Sequence, residues 1–168
     1  MKSFSAPASV LVFFYACFLR LWAWSGSHLP ESVATHFNGA GRPDGWMSRS
    51  DHQSFMLKFG LLFPLFVVVL CFATRFVPAN LINVPHREYW LAPERRKETF
   101  DYLFRHSLWF ACLATGFVTG IQYSIVQSNQ QTPPHLSTAG MLGLAGCFLA
   151  GTAVWVISML RHFRRSGK

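Results

Sequence analysis

Residues 136–160 read LSTAGMLGLAGCFLAGTAVWVISML, a run without a single Asp, Glu, Lys or Arg. A helix rises 1.5 Å per residue and needs about 20 apolar residues to cross roughly 30 Å of hydrocarbon, so this run is long enough to span a bilayer. Residues 107–126 are equally free of charge. Residues 8–24 are interrupted only by Arg20, and residues 55–77 only by Lys58 and Arg75. Each of those cations lies near an end of its run, where a long side chain snorkels to the headgroups at modest cost. The composition agrees: 51% of the 168 residues are hydrophobic and 13% charged, against about 25% charged in soluble domains. That balance excludes an ordinary soluble enzyme. Seventeen Phe and six Trp also exclude a disordered chain, which lacks such apolar area. The expected architecture is an all-α integral membrane protein, one unit over residues 1–168, with four transmembrane helices.

Orientation follows from the Lys and Arg outside the spans. One face collects Lys2, Arg75, Arg87, Arg95, Arg96, Lys97, Arg105, Arg161, Arg164, Arg165 and Lys168; the other holds Arg42 and Arg49, with Arg20 and Lys58 at helix ends. The richer face is expected to be cytoplasmic. Both termini are then inside, residues 25–54 outside, 78–106 inside and 127–135 outside. The formal charge of +8 is accounted for by these topogenic cations beside anionic lipid, with no nucleic-acid partner implied. A cleavable signal peptide competes for the first run, since Ala23-Trp24-Ser25 loosely fits a cleavage site. Arg20, Trp22 and Trp24 beside that site favour a retained span.

Lipid supplies no hydrophobic drive between helices, so close approach at small residues is expected to hold the bundle. Gly116 and Gly120 in the third span, with Ala139, Gly143, Gly146 and Ala150 in the fourth, predict a tight hairpin of these two helices. Pro64 predicts a kink in the second span. Gln122, Thr115, Thr119 and Thr152 read as glue between helices. The four cysteines fall one to a span without a CxxC and read as small buried apolar groups.

Two loops carry more information. Residues 29–46 read LPESVATHFNGAGRPDGW. The alternation about Val33, Thr35 and Phe37 predicts a short strand, and Arg42-Pro43-Asp44-Gly45 has the composition of a type I turn. A short structured extracytoplasmic cap between the first and second helices is therefore expected, with Asp44 paired to Arg20 or Lys58. Residues 83–96 read NVPHREYWLAPERR. Pro93 and Glu94 suit a helix first turn, and that helix is expected to continue into the third span, with Lys97–Asp101 and Asp101–Arg105 pairs on its surface. Tyr89, Trp90 and Leu91 read as an aromatic anchor at headgroup level.

The segment with His36-Phe37-Asn38, Gly41 and Pro43-Asp44-Gly45-Trp46 resembles the motif of the bacterial membrane family known as domain of unknown function 1648. Asn83, Pro85, Tyr89, Trp90, Pro93, Glu94, Arg95 and Arg96 resemble the second signature that often follows it. The combined resemblance spans about residues 10 to 105. That family is similar to the sporulation-delay immunity proteins of the SdpI type, polytopic proteins that protect a cell from a secreted peptide toxin and signal to a repressor. The resemblance implies a multi-pass protein of the bacterial cytoplasmic membrane, and it selects candidate residues. His36, Phe37, Asn38, Gly41, Pro43, Asp44, Gly45 and Trp46 are candidates for binding an extracytoplasmic peptide or small molecule. Asn83, Pro85, Tyr89, Trp90, Pro93, Glu94, Arg95 and Arg96 are candidates for contact with lipid or a protein partner.

His28, His36 and His52, with Glu31, Asp44 and Asp51, bring imidazole and carboxylate into the outer loop, a donor set that suits zinc. Their spacing contains no HxxxH or HExxH pair, and the acids flank turns where they cap backbone N–H groups. No metal and no cofactor are expected. There is no nucleophile elbow, phosphate loop, dinucleotide fingerprint or mid-depth carboxylate, so no catalytic residue is assigned. The expected function is non-enzymatic: binding or sensing an extracytoplasmic ligand or toxin. The alternatives are an accessory subunit of a larger transporter and a metal-dependent membrane hydrolase.

Overall fold

In the computed structural model the described residues are 4–164; Lys2, Arg165 and Lys168 of the topogenic set lie outside them. The apolar runs form four long helices: α1 (Ser5–His28), α2 (Arg49–Ala73), α4 (Pro93–Asn129) and α5 (Thr138–Arg164). All four are long and apolar enough to cross a membrane. Between α1 and α2 lies an antiparallel hairpin of β1 (Ser32–Phe37) and β2 (Pro43–Ser48). A single turn, α3 (Arg87–Trp90), precedes α4. The chain is an all-α membrane protein with a small hairpin cap.

α1 and α4 pass both ends of the apolar runs that announced them, and α2 and α5 pass one end of theirs. α1 and α2 extend through polar residues to the hairpin, and Ser48 caps the start of α2 by accepting from the Asp51 N–H at 3.1 Å, satisfying one of the donors a helix N-terminus leaves open. α2 stops earlier than its run: residues Thr74–Phe76 tighten into a 3-10 turn, short of Pro78. α4 begins with Pro93 at its first turn and Glu94 beside it, and continues without a break to Asn129. The Lys97 ammonium donates to Asp101 at 2.7 Å.

α4 is the hub of the bundle, packed most extensively against α1 and α2. Small residues make this closeness workable. Phe18 of α1 is fully buried over Gly60 of α2, where an added Cβ would overlap the Phe18 ring. Met56 and Val118 complete that cluster. α2 remains helical through Pro64; the Tyr15 hydroxyl donates to the Leu61 carbonyl at 3.1 Å, in the turn whose ladder the proline interrupts.

The last two helices do pack against each other, but not through the small residues expected to hold them. Gly116 faces Phe14 of α1, and only Gly120 faces α5, through Leu144. In α5 the glycine that meets α4 is Gly151, against Leu113. Gly143 and Gly146 have nothing within reach of an added Cβ, and Ala139 and Ala150 are exposed. The reason is helical phase: 144, 148, 151 and 155 share one face at three- and four-residue spacing, and 139, 143, 146 and 150 share another. What joins α5 to α4 is aromatic. His106 Nε2 donates to the Trp155 carbonyl at 3.0 Å and Trp155 Nε1 to the His106 carbonyl at 2.9 Å, with the rings stacked at 4.7 Å.

Among the threonines, Thr115 does meet a neighbouring helix, through the Tyr15 side chain of α1, whereas Thr119 and Thr152 differ from expectation. Thr115, Thr119 and Thr152 each donate to a carbonyl one turn back on their own helix, at 2.7–2.8 Å. A short hydroxyl in an apolar span finds its own backbone more readily than a neighbour. Of the cysteines, only Cys112 is buried; Cys17 and Cys147 are exposed. On a lipid-facing side a thiol has no stronger reason to be buried than any apolar group.

Candidate functional site

The cap is built from its turn. Asn38 Oδ1 accepts from the N–H groups of Ala40 at 2.9 Å and Arg42 at 3.1 Å. The Asn38 N–H donates to the Arg42 carbonyl at 2.9 Å, and the Gly41 N–H to the Asn38 carbonyl at 2.8 Å. Gly41 has φ of 73°, a left-handed conformation open to glycine. The reversal therefore falls at 38–42, and the expected turn at 42–45 is corrected: Pro43, Asp44 and Gly45 lie in β2. Composition marked a turn there, but the self-closing Asn38 side chain and the left-handed Gly41 decide where the chain reverses.

β1 is locked down on its free edge. Asn129, the last residue of α4, accepts from the Ala34 N–H at 2.8 Å and donates to the Ala34 carbonyl at 2.9 Å. Its amide thus does the work of a neighbouring strand. The Leu136 N–H donates to the Gly41 carbonyl at 2.9 Å, and Arg49 Nη1 donates to the Leu29 carbonyl at 3.1 Å. Val33 and Ala34 are fully buried, with Val33 against Leu29, Ile125 and Val126. Asn129→Ala is expected to release the hairpin, costing about 1–3 kcal/mol for the buried backbone groups it orphans. Faster hydrogen exchange at the Ala34 amide, with unchanged exchange in mid-α4, is the readout.

The other side of the cap is open. His36 Nδ1 meets Asp44 Oδ1 across the hairpin, in place of the expected pairing of Asp44 with Arg20 or Lys58, which are exposed. The correction is one of register: His36 lies opposite Gly45, where the missing side chain leaves room for it, since a Cβ on Gly45 would come within 2.9 Å of the His36 Cβ. Trp46 is 54% exposed and Met47 37%. Of the eight cap candidates, Asn38, Gly41, Pro43 and Gly45 serve the backbone and Phe37 is half-buried, while His36, Asp44 and Trp46 face outward.

Beneath the cap lies a buried polar cluster. Ser25 Oγ accepts from Gln53 Nε2 and from Gln122 Nε2, both at 2.8 Å, and donates to the Trp22 carbonyl at 2.7 Å. Trp22 Nε1 donates to the Gln53 carbonyl at 2.9 Å. Because the Gln122 amide nitrogen is spent on Ser25, its Oε1 is the acceptor for His52 Nε2 at 3.1 Å. Ser25, His52 and Gln122 are all buried, so α1, α2 and α4 are tied by hydrogen bonds. Gln122 was readable as glue from its depth in an apolar span; its partners Ser25, His52 and Gln53, and the clamp Asn129, looked like loop or helix-end residues.

The outer histidines are drawn apart. His28 Nδ1 bonds the Trp24 carbonyl at 2.8 Å, His36 takes Asp44 and His52 takes Gln122. Among the described residues no three His, Cys, Asp or Glu side chains gather as metal ligands.

At the opposite end, Asn83, Pro85, Pro93 and Glu94 are exposed. Arg95 lies over the Tyr89 ring at 3.9 Å, and Arg96 faces Phe100 at 5.6 Å. Trp90 turns toward α5, donating to the Phe163 carbonyl at 3.1 Å and stacking on His162. The Thr99 hydroxyl holds the Trp90 carbonyl at 2.8 Å. This segment is a packed elbow, with Ile82, Leu91 and Phe100 as its core.

No curated protein and no solved structure matches this chain. Residues 11–70, which hold most of α1, the whole hairpin cap and most of α2, match the family model described as Domain of unknown function (DUF1648).

Proposed function

We propose that the chain is a non-enzymatic multi-pass protein of the bacterial cytoplasmic membrane whose hairpin cap lies outside the cell and binds or senses a ligand, a toxin peptide of the immunity type being the leading class. The observation that carries this reading is the division of the cap into two faces. Its backbone is clamped to α4 and the α4–α5 link, whereas the His36 and Trp46 side chains are exposed. An indole beside an imidazole–carboxylate pair presents apolar area, a donor and a negative charge on a rigid support, the combination that recognition sites reuse. The His36–Asp44 pair, being solvated, adds about 0–1 kcal/mol to the fold, so its worth lies in what it offers a ligand. The orientation rests on the distribution of Lys and Arg.

The test is resistance. Cells expressing the chain are challenged with a panel of membrane-active peptide toxins, and the wild type is expected to protect against at least one. Trp46→Ala and Asp44→Asn are expected to lose about tenfold or more of that protection, the equivalent of about 1.4 kcal/mol of binding, at unchanged abundance and melting temperature. Absence of protection by the wild type, or full protection by both variants, overturns the reading. A second reading, an accessory subunit of a transporter, is favoured by the uncovered Gly143 and Gly146 on α5; co-purification of a transporter that is lost in Gly146→Leu would select it.

A further inference from the structure

α5 does not close fully on the bundle, and the space it leaves has an ordered chemistry. Along α4, residues 98, 101, 105, 109, 112 and 116 follow one another at three- and four-residue intervals and so share one face. Two hollows between α1 and α5 open along that face, and end to end they line up as a furrow. Its middle part has a volume of about 380 Å³ and is walled by Phe14, Trp109, Leu113, Phe117, Leu144 and Phe148. Its end toward the start of α4 has a volume of about 610 Å³ and carries the charged wall residues Glu94, Lys97, Glu98, Asp101 and Arg105 beside His162. Tyr102 and His162 stack at 3.6 Å to pave that end.

We infer that this furrow seats one aminophospholipid of the leaflet at the α4 N-terminal end, a phosphatidylethanolamine type. Lipid is the solvent around these helices, and an apolar slot in it is filled by an acyl chain rather than left empty. The order of charges selects the headgroup. At 1.5 Å per residue, Arg105 lies about 12 Å along α4 from Leu113, while Asp101 and Glu98 lie about 6 and 10 Å beyond Arg105 in the opposite direction. Going outward, the furrow thus presents apolar wall, then guanidinium, then the three carboxylates Asp101, Glu98 and Glu94 against the single Lys97 ammonium. An aminophospholipid presents acyl chain, then phosphate, then ammonium. The guanidinium matches phosphate by paired charge-assisted hydrogen bonds, and Asp101, which also receives Lys97, and Glu98 meet the ammonium. A phosphatidylglycerol headgroup would place no cation against those carboxylates, and a choline headgroup would bring no N–H donors to them.

The experiment uses the full chain, exchanged into micelles containing equal amounts of phosphatidylethanolamine, phosphatidylglycerol and phosphatidylcholine of matched chains, then read by native mass spectrometry. The expected result is one retained lipid per chain, with phosphatidylethanolamine favoured about threefold to fivefold over each of the others, as a partly solvated ion pair provides. Glu98→Gln with Asp101→Asn should abolish the preference while lipid is still retained. Arg105→Ala should weaken retention of all three, and Gly116→Leu, which fills the middle part, should expel the lipid. Gly143→Leu on the far face should change nothing. Circular dichroism identifies variants that fail to fold; the exposed Glu98 keeps the test alive through Glu98→Gln alone, which should lower the preference. No stoichiometric lipid, a preference for phosphatidylglycerol, or an unchanged preference in folded Glu98→Gln/Asp101→Asn overturns the inference.

Discussion

Gly60→Leu is expected to destroy the folded chain, giving polydisperse material in detergent where the wild type is monodisperse. The cause is the buried Phe18 ring, which occupies the space that any side chain at Gly60 would need. Even Gly60→Ala should lower stability by about 1–3 kcal/mol, the usual penalty for overfilling a packed interior. The neighbours leave little room for relief. Met56 and Val118 enclose the same ring, so Phe18 has no vacant direction in which to withdraw. Thermal unfolding followed by size-exclusion fluorescence measures the loss. Phe18→Leu in the Gly60→Ala chain should recover part of it, because a shorter side chain frees the space taken by the new methyl. A coupling of about 0.5–3 kcal/mol between the two changes is expected for residues in contact. Strict additivity would show that the helices are not held at this point.

The second large effect is expected at Gln122. Gln122→Leu leaves His52 with a buried N–H and no acceptor, and takes from Ser25 one of its two donors. Single hydrogen bonds between membrane helices average near 0.6 kcal/mol, but a buried polar group left unsatisfied costs about 1–3 kcal/mol. The orphaned imidazole, fully enclosed, places this substitution in the higher range. The double variant His52→Phe with Gln122→Leu removes donor and acceptor together and should regain most of the loss. Failure of the double variant to recover would mean that the cluster contributes shape rather than hydrogen bonding.

Both effects concern how α1 and α2 are held on α4, and they bear on the cap. Ser25 and His52 lie close to the two ends of the hairpin in the chain, so a bundle that loosens at Gln122 also loosens the base on which His36 and Trp46 are displayed. Loss of toxin resistance in Gln122→Leu would then be accompanied by a lower melting temperature, unlike the loss expected from Trp46→Ala. This distinction separates a residue that supports the cap from one proposed to touch a ligand.

What the sequence determined by itself was the class of solvent and the number of crossings. Length and apolar content are additive properties of a segment, and the bilayer sets one threshold for all four helices. The same holds for the start of α4, where a proline and an acid are read from adjacent positions. The cap was legible as a strand because alternation is local, and its motif was recognisable as a string. Partner choice was decided only in three dimensions. Gly116 serves α1 instead of α5, Asp44 finds His36 instead of Arg20, and Asn129 acts as a strand edge for Ala34, a residue far away in the chain. The first and last depend on helical phase and crossing geometry, in which a rotation of one residue in 3.6 changes the neighbour, and the second on the register of the hairpin. A periodic pattern can state that a small or polar residue has a partner; only the packed bundle selects which one.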